Sequence, residues 1–201
     1  MGGTRFFRMG VLGLFALAGL AGCGGAEDGA SALGVTSASG ASGDGAADSS
    51  CGTGDICLGL KMVSYSDGTS SVLDRAAAGR LIAGMNGIWS QCGIGFRLED
   101  FEVLEPKNVG LPLTTQYMSE LPDIRGTLQS PNQLLVVLTE RWGSAGDIND
   151  SGADAWTTLP GSPPYGAIID EPVAENSNII AHEIGHYLGL DEEDLQRRGL
   201  E

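Results

Sequence analysis

Basic residues are scarce: 11 Lys and Arg stand against 26 Asp and Glu in 201 residues, a net charge of −15. That leaves no cationic footprint for a nucleic-acid backbone or an anionic lipid surface, so nucleic-acid binding is excluded. Long hydrophobic runs are missing as well. The amino-terminal run Met9 to Leu20 has only 12 residues, against the roughly 20 needed to cross a bilayer. It follows Arg5 and Arg8 without any acid and ends in small residues, the pattern of a secretory signal peptide. The chain is therefore expected to be exported.

Cysteine is also sparse, with four in all. Leu20-Ala21-Gly22-Cys23 resembles the lipobox of bacterial lipoproteins, in which the cysteine is acylated and becomes the first residue after cleavage. The resemblance implies a signal peptide at 1–22, a lipid attachment point at Cys23, and a location at the outer membrane or cell surface. Several acyl chains would make that anchoring stable. Of the 27 residues from Gly24 to Ser50, 20 are Gly, Ala or Ser, too little apolar surface to offset ordering entropy. Residues 23–50 thus read as an acylated Cys and a flexible linker, reaching about 30 Å. The folded unit spans residues 51–201, long enough for a hydrophobic core. Its three cysteines leave the pairing open: Cys51 with Cys57, leaving Cys92 over, or Cys57 with Cys92.

Within that unit the hydrophobic periods alternate. Leu58 to Ser66 reads as a strand, and Ser71 to Gln91 carries Leu73, Ala77, Leu81, Met85, Ile88 and Trp89 at helical spacings. Gly93 ends the helix, and Ile94 to Leu104 alternates as a half-buried strand. A loop with a short helix leads to Asn132. Gln133 to Thr139 is apolar enough for a central strand. Asp154 to Leu159 reads as a short edge strand, and Tyr165 to Asp170 as another after Pro163-Pro164. From Asn176 onward a helix is expected, capped by Asn176 or Ser177, with Ile179, Ile180, Ile184 and Leu188 on its apolar side.

That last helix carries His182-Glu183-Ile184-Gly185-His186, an HExxH pattern built from the chain's only two histidines. Residues four apart share a helix face, so both imidazoles can ligate one Zn²⁺ while Glu183 stands beside the open position as general base. The chemistry implied is zinc-assisted peptide hydrolysis. The longer stretch HEIGHYLGL, His182 to Leu190, resembles the active-site helix of metzincin metallopeptidases, nearest to the pappalysin-like and matrixin-like families. There Gly189 would supply the sharp turn toward a third ligand. The resemblance implies an α+β fold: a metzincin-like amino-terminal subdomain, a twisted mixed β-sheet with a backing helix and an active-site helix. It also implies that Asp154 to Pro160 forms the edge strand with which an extended peptide pairs.

Two features depart from that pattern. The third-ligand position falls on Glu192 instead of His; a carboxylate is a sound zinc ligand, with adjacent Asp191 in reserve, though Asp191 to Asp194 also reads as a solvated acidic run. No Met follows Met118, so the family's Met-turn and the carboxyl-terminal wall of its specificity pocket are missing. Separately, Asp147, Asn149 and Ser151 alternate like the front half of a Ca²⁺ loop, but position twelve is Thr158 and not Glu, which fits a polar turn. The expectation is a monomeric, lipid-anchored zinc endopeptidase acting on protein or peptide substrates, with Zn²⁺ and a candidate Ca²⁺. The alternatives are a catalytically degenerate surface lipoprotein with a binding role, and the amino-terminal part of a longer peptidase.

Overall fold

Alternation of period two in the strands and period three to four in the helices sorts the apolar side chains onto two faces of one sheet. The computed structural model describes Cys51, residues 56–191 and Asp194. The expected signal peptide, Cys23 and the linker lie outside the described residues, as does Glu192.

Five strands form the sheet: β1 (Ile56–Tyr65), β2 (Ile94–Leu104), β3 (Leu134–Leu138), β4 (Ala155–Thr157) and β5 (Ala167–Ile169). Their order is β2-β1-β3-β5-β4. All neighbours run parallel except β4, which lies antiparallel on β5 at the edge. The fold is thus a mixed α/β arrangement, a five-stranded mixed sheet with three α-helices among the described residues.

Helices α1 (Arg75–Trp89) and α3 (Ser177–Tyr187) cover one face. Asp74 caps α1 by accepting the N–H of Ala77. The stripe Ala77, Leu81, Met85 and Trp89 is buried against Leu60, Met62, Val136 and Ile169, and Ile180 and Ile184 of α3 join the same core. Truncating either isoleucine to Ala would cost about 2–5 kcal/mol. Helix α2 (Leu121–Leu128) covers the opposite face, packing Leu121, Ile124 and Leu128 on Val63, Leu135, Val137 and Ile168. Residues 134 to 138 therefore divide by parity between the two cores, the signature of a strand buried on both sides.

Cys51 is bonded to Cys57. The expectation that this pairing leaves Cys92 over fails, since no cysteine among the described residues is free.

Candidate active site

The active-site helix is placed by its approach. Asp170, at the end of β5, accepts the backbone N–H groups of Trp142 and Glu171, each at 2.8 Å. Burial pushes its carboxyl above the ordinary range, against the pull of those two donors. The chain then turns to Asn176, which caps α3 by accepting the N–H of Asn178 at 3.0 Å. Gly84 of α1 lets the two helices close in, because a Cβ there would lie 2.6 Å from Ser177 Oγ. With Ile180 and Ile184 facing the core, the opposite side of α3 turns His182 and His186 toward the outside.

The two imidazoles are half-buried, and their Nε2 atoms stand 3.0 Å apart. Two nitrogens on one tetrahedral zinc, each about 2.0–2.1 Å from it, are separated by roughly 3.3 Å, so the pair fits a shared ion. His186 Nδ1 lies 3.0 Å from the carbonyl oxygen of Leu190. As a donor to that carbonyl, Nδ1 carries the proton and leaves the Nε2 lone pair for a metal.

The Leu190 carbonyl is held by the way α3 ends. Gly189 N–H donates to His186 and Leu190 N–H to Gly185, at 2.9 and 3.0 Å, the two bonds of a Schellman closure. Gly189 has φ +90°, a conformation glycine adopts without strain.

Glu183 is only 7% exposed and, with both histidines, lines a cleft of about 760 Å³. Its other wall is edge strand β4 with Leu159 and Pro160. The Asp170 N–H donates to the Asp154 carbonyl at 2.9 Å. In an antiparallel pair this parity turns the backbone groups of Trp156 toward β5 and those of Ala155 and Thr157 toward the open edge. A row of unpaired donors and acceptors thus borders the cleft.

Of the expected ligands, His182 and His186 come together and Asp191 lies exposed at the cleft margin. Asp191 Oδ1 accepts the N–H of Asp194 at 2.9 Å. Glu192 falls outside the described residues. Among the described residues no three His, Cys, Asp or Glu side chains gather as a metal-binding group. In the candidate calcium segment, Asp147 accepts the Met118 N–H, Asn149 donates to the Gly143 carbonyl, and Ser151 accepts the Ala153 N–H. Those bonds describe a polar turn.

Sequence reasoning overlooked Arg125, which is 6% exposed and reaches behind β4. One signal was available: four residues beyond Leu121 and between Ile124 and Leu128, Arg125 falls on the apolar stripe of α2.

No protein-family model and no curated protein matches the chain. Among solved structures, the chain is similar in fold to metalloproteinase-II from Bacteroides fragilis, at 17% identity and a TM-score of 0.43. The match covers 72% of this chain and 46% of that one, so the chain spans less than half of that protein's length.

Proposed function

We propose that the chain is a zinc-dependent endopeptidase that hydrolyses extended peptides in the cleft between α3 and β4. The observation that carries this reading is the His182–His186 pair: two Nε2 atoms 3.0 Å apart, with the Nδ1 of His186 held by a backbone carbonyl. His182 and His186 would hold the ion, with Glu192 as the expected third ligand. Zinc, when bound, supplies Lewis acidity that polarises a carbonyl and acidifies water.

The remaining work belongs to the protein. A peptide strand pairs with the outward backbone groups of Ala155 and Thr157, which orients its scissile carbonyl along the cleft. Glu183 takes the proton of the attacking water on a carboxylate oxygen and passes it to the leaving amine. Its burial keeps competing water away from that transfer. The acylated Cys23 would anchor the enzyme to the outer membrane or cell surface, the flexible linker setting its reach.

The test is zinc stoichiometry and peptide cleavage on the full chain, beside Glu183→Ala. The expected result is about one zinc per chain in both proteins, with hydrolysis lost by 10²-fold or more, on the order that general-base removal costs. Undiminished turnover in the variant would remove the role of Glu183. A second reading has its own observation, the lack of a three-residue metal group among the described residues. Absence of zinc from the parent protein would favour that reading, a surface lipoprotein that binds and does not cleave.

A further inference from the structure

Arg125 is a buried cation without an ion pair: none of the salt bridges among the described residues includes it. Burying a guanidinium in this way is costly, and packing alone does not explain it. What it does make is two hydrogen bonds to backbone. Its Nε donates to the carbonyl of Gly166 at 2.8 Å and its Nη2 to the carbonyl of Trp156 at 2.9 Å. Burial pulls its pKa down to about 10 and the carboxylate of Glu183 opposes that fall, so the group stays charged at neutral pH.

Both acceptors sit where the cleft is built. Trp156 is the middle residue of β4, and its carbonyl points inward, away from the open edge. Gly166 immediately precedes β5 with φ +145°, and a Cβ there would press on Leu135 at 3.0 Å. Only glycine satisfies that backbone and that space. Thr157 Oγ1 donates to the same Gly166 carbonyl at 3.4 Å. The fork of Arg125 thus clips a strand of only three residues, β4, to the start of β5.

We propose that Arg125 is a positioning residue, clamping β4 from behind so that its outward groups at Ala155 and Thr157 stand at a fixed depth over His182 and His186. This rests on the peptidase reading above and deepens it. A planar five-donor group bridges two carbonyls; a lysine ammonium at the same place is a point donor and reaches them less well. Arg125 touches neither substrate nor zinc in this assignment. Its effect falls on peptides long enough to run along β4.

The experiment compares the full chain with Arg125→Lys and Arg125→Met. Two peptides share one scissile bond, one of them extended along the edge strand and one cut back to the residues flanking the bond. For the extended peptide, KM rises about tenfold in Arg125→Met and less in Arg125→Lys, with kcat and zinc content held. For the short peptide KM stays level. Equal losses on both peptides, or an unchanged KM for the extended one, overturn the proposal.

Backbone amide exchange gives an independent arm that needs no turnover. Exchange at Trp156 and its β5 partner Ile168 accelerates in the variants while Ile180 to Ile184 stay protected; unaltered exchange in β4 overturns the clamp. If the parent protein cleaves neither peptide, the peptidase reading fails while this arm still decides whether Arg125 holds the strand. Should Arg125→Met not fold, Arg125→Lys carries both readouts.

Discussion

The Nδ1 atom of His186 lies 3.0 Å from the carbonyl oxygen of Leu190, four residues on. The bond exists because Gly189 reverses the chain at φ +90° and closes α3 back on Gly185 and His186. A turn that looks like a helix terminator is therefore also an orienting element for one imidazole.

Gly189→Ala tests that link. Alanine at positive φ strains the closure by roughly 1 kcal/mol, and the Leu190 carbonyl drifts from Nδ1. Zinc affinity should fall by about tenfold, the low end for loss of an outer hydrogen bond to a metal-bound histidine. Space is not the cause, because the nearest atom to a new Cβ, Pro160 Cγ, is 3.6 Å away. Competition titration against a chelator reads the change. An unaltered zinc affinity would show that the Leu190 carbonyl does not orient His186.

How far the sequence foretells this arrangement varies by element. The helical spacing of Leu73, Ala77, Leu81, Met85, Ile88 and Trp89 predicts a buried stripe; Ile88 is half-buried and the other five are buried, Leu73 ahead of the helix, which begins at Arg75. Ile94 to Leu104 is read at the strand's own bounds, though its alternation breaks at Glu99, where the register against β1 shifts by one residue. Leu188 belongs to the expected apolar side of α3 yet is 37% exposed, since the helix has already ended at Tyr187.

Strand order was not legible. It depends on pairings across the chain, such as Val136 with Ala167, that leave no local signal. The site divides in the same way. His182, Glu183 and His186 are a local pattern on one helix, whereas Arg125 reaches Trp156 across 31 positions of sequence. No short-range period encodes that contact.

At the other end of β1, Asp67 shows what local bonding does to an exposed carboxylate. Its Oδ1 accepts Thr69 Oγ1–H at 2.7 Å and the N–H groups of Thr69 and Ser70 at 2.7 and 2.9 Å. The Thr69 hydroxyl leads this set, and together the donors pull the pKa from 3.8 down to about 2. A folded pKa below the unfolded one gives stability that is present above pH 3.8 and lost as pH falls through about 2. Carboxyl NMR titration should find Asp67 near 2, and Thr69→Val should raise it. A titration at the ordinary carboxylate value in the parent would dismiss the turn as a stabiliser at acid pH.

The proposed anchor makes a prediction separate from catalysis. Cys23→Ser removes the thiol on which acylation depends, so the protein should move from the membrane fraction to the soluble one. Peptidase activity per chain should persist, because the cleft residues are untouched. A variant that stays with the membrane would place the anchor elsewhere, without bearing on the cleft.

Asp191 and Glu192 are neighbours with different expected duties. Asp191 already accepts the N–H of Asp194 at 2.9 Å, so one of its oxygens is engaged in holding the turn. An amide oxygen can take over that bond, and Asp191→Asn should keep both the turn and the zinc. Glu192→Ala leaves the turn bond intact and removes the carboxylate that would complete a His₂Glu set. Zinc content measured by elemental analysis should then fall far below one per chain in Glu192→Ala alone. Loss in Asp191→Asn with retention in Glu192→Ala would transfer the third-ligand role to Asp191. Retention in both would mean that neither carboxylate ligates the metal.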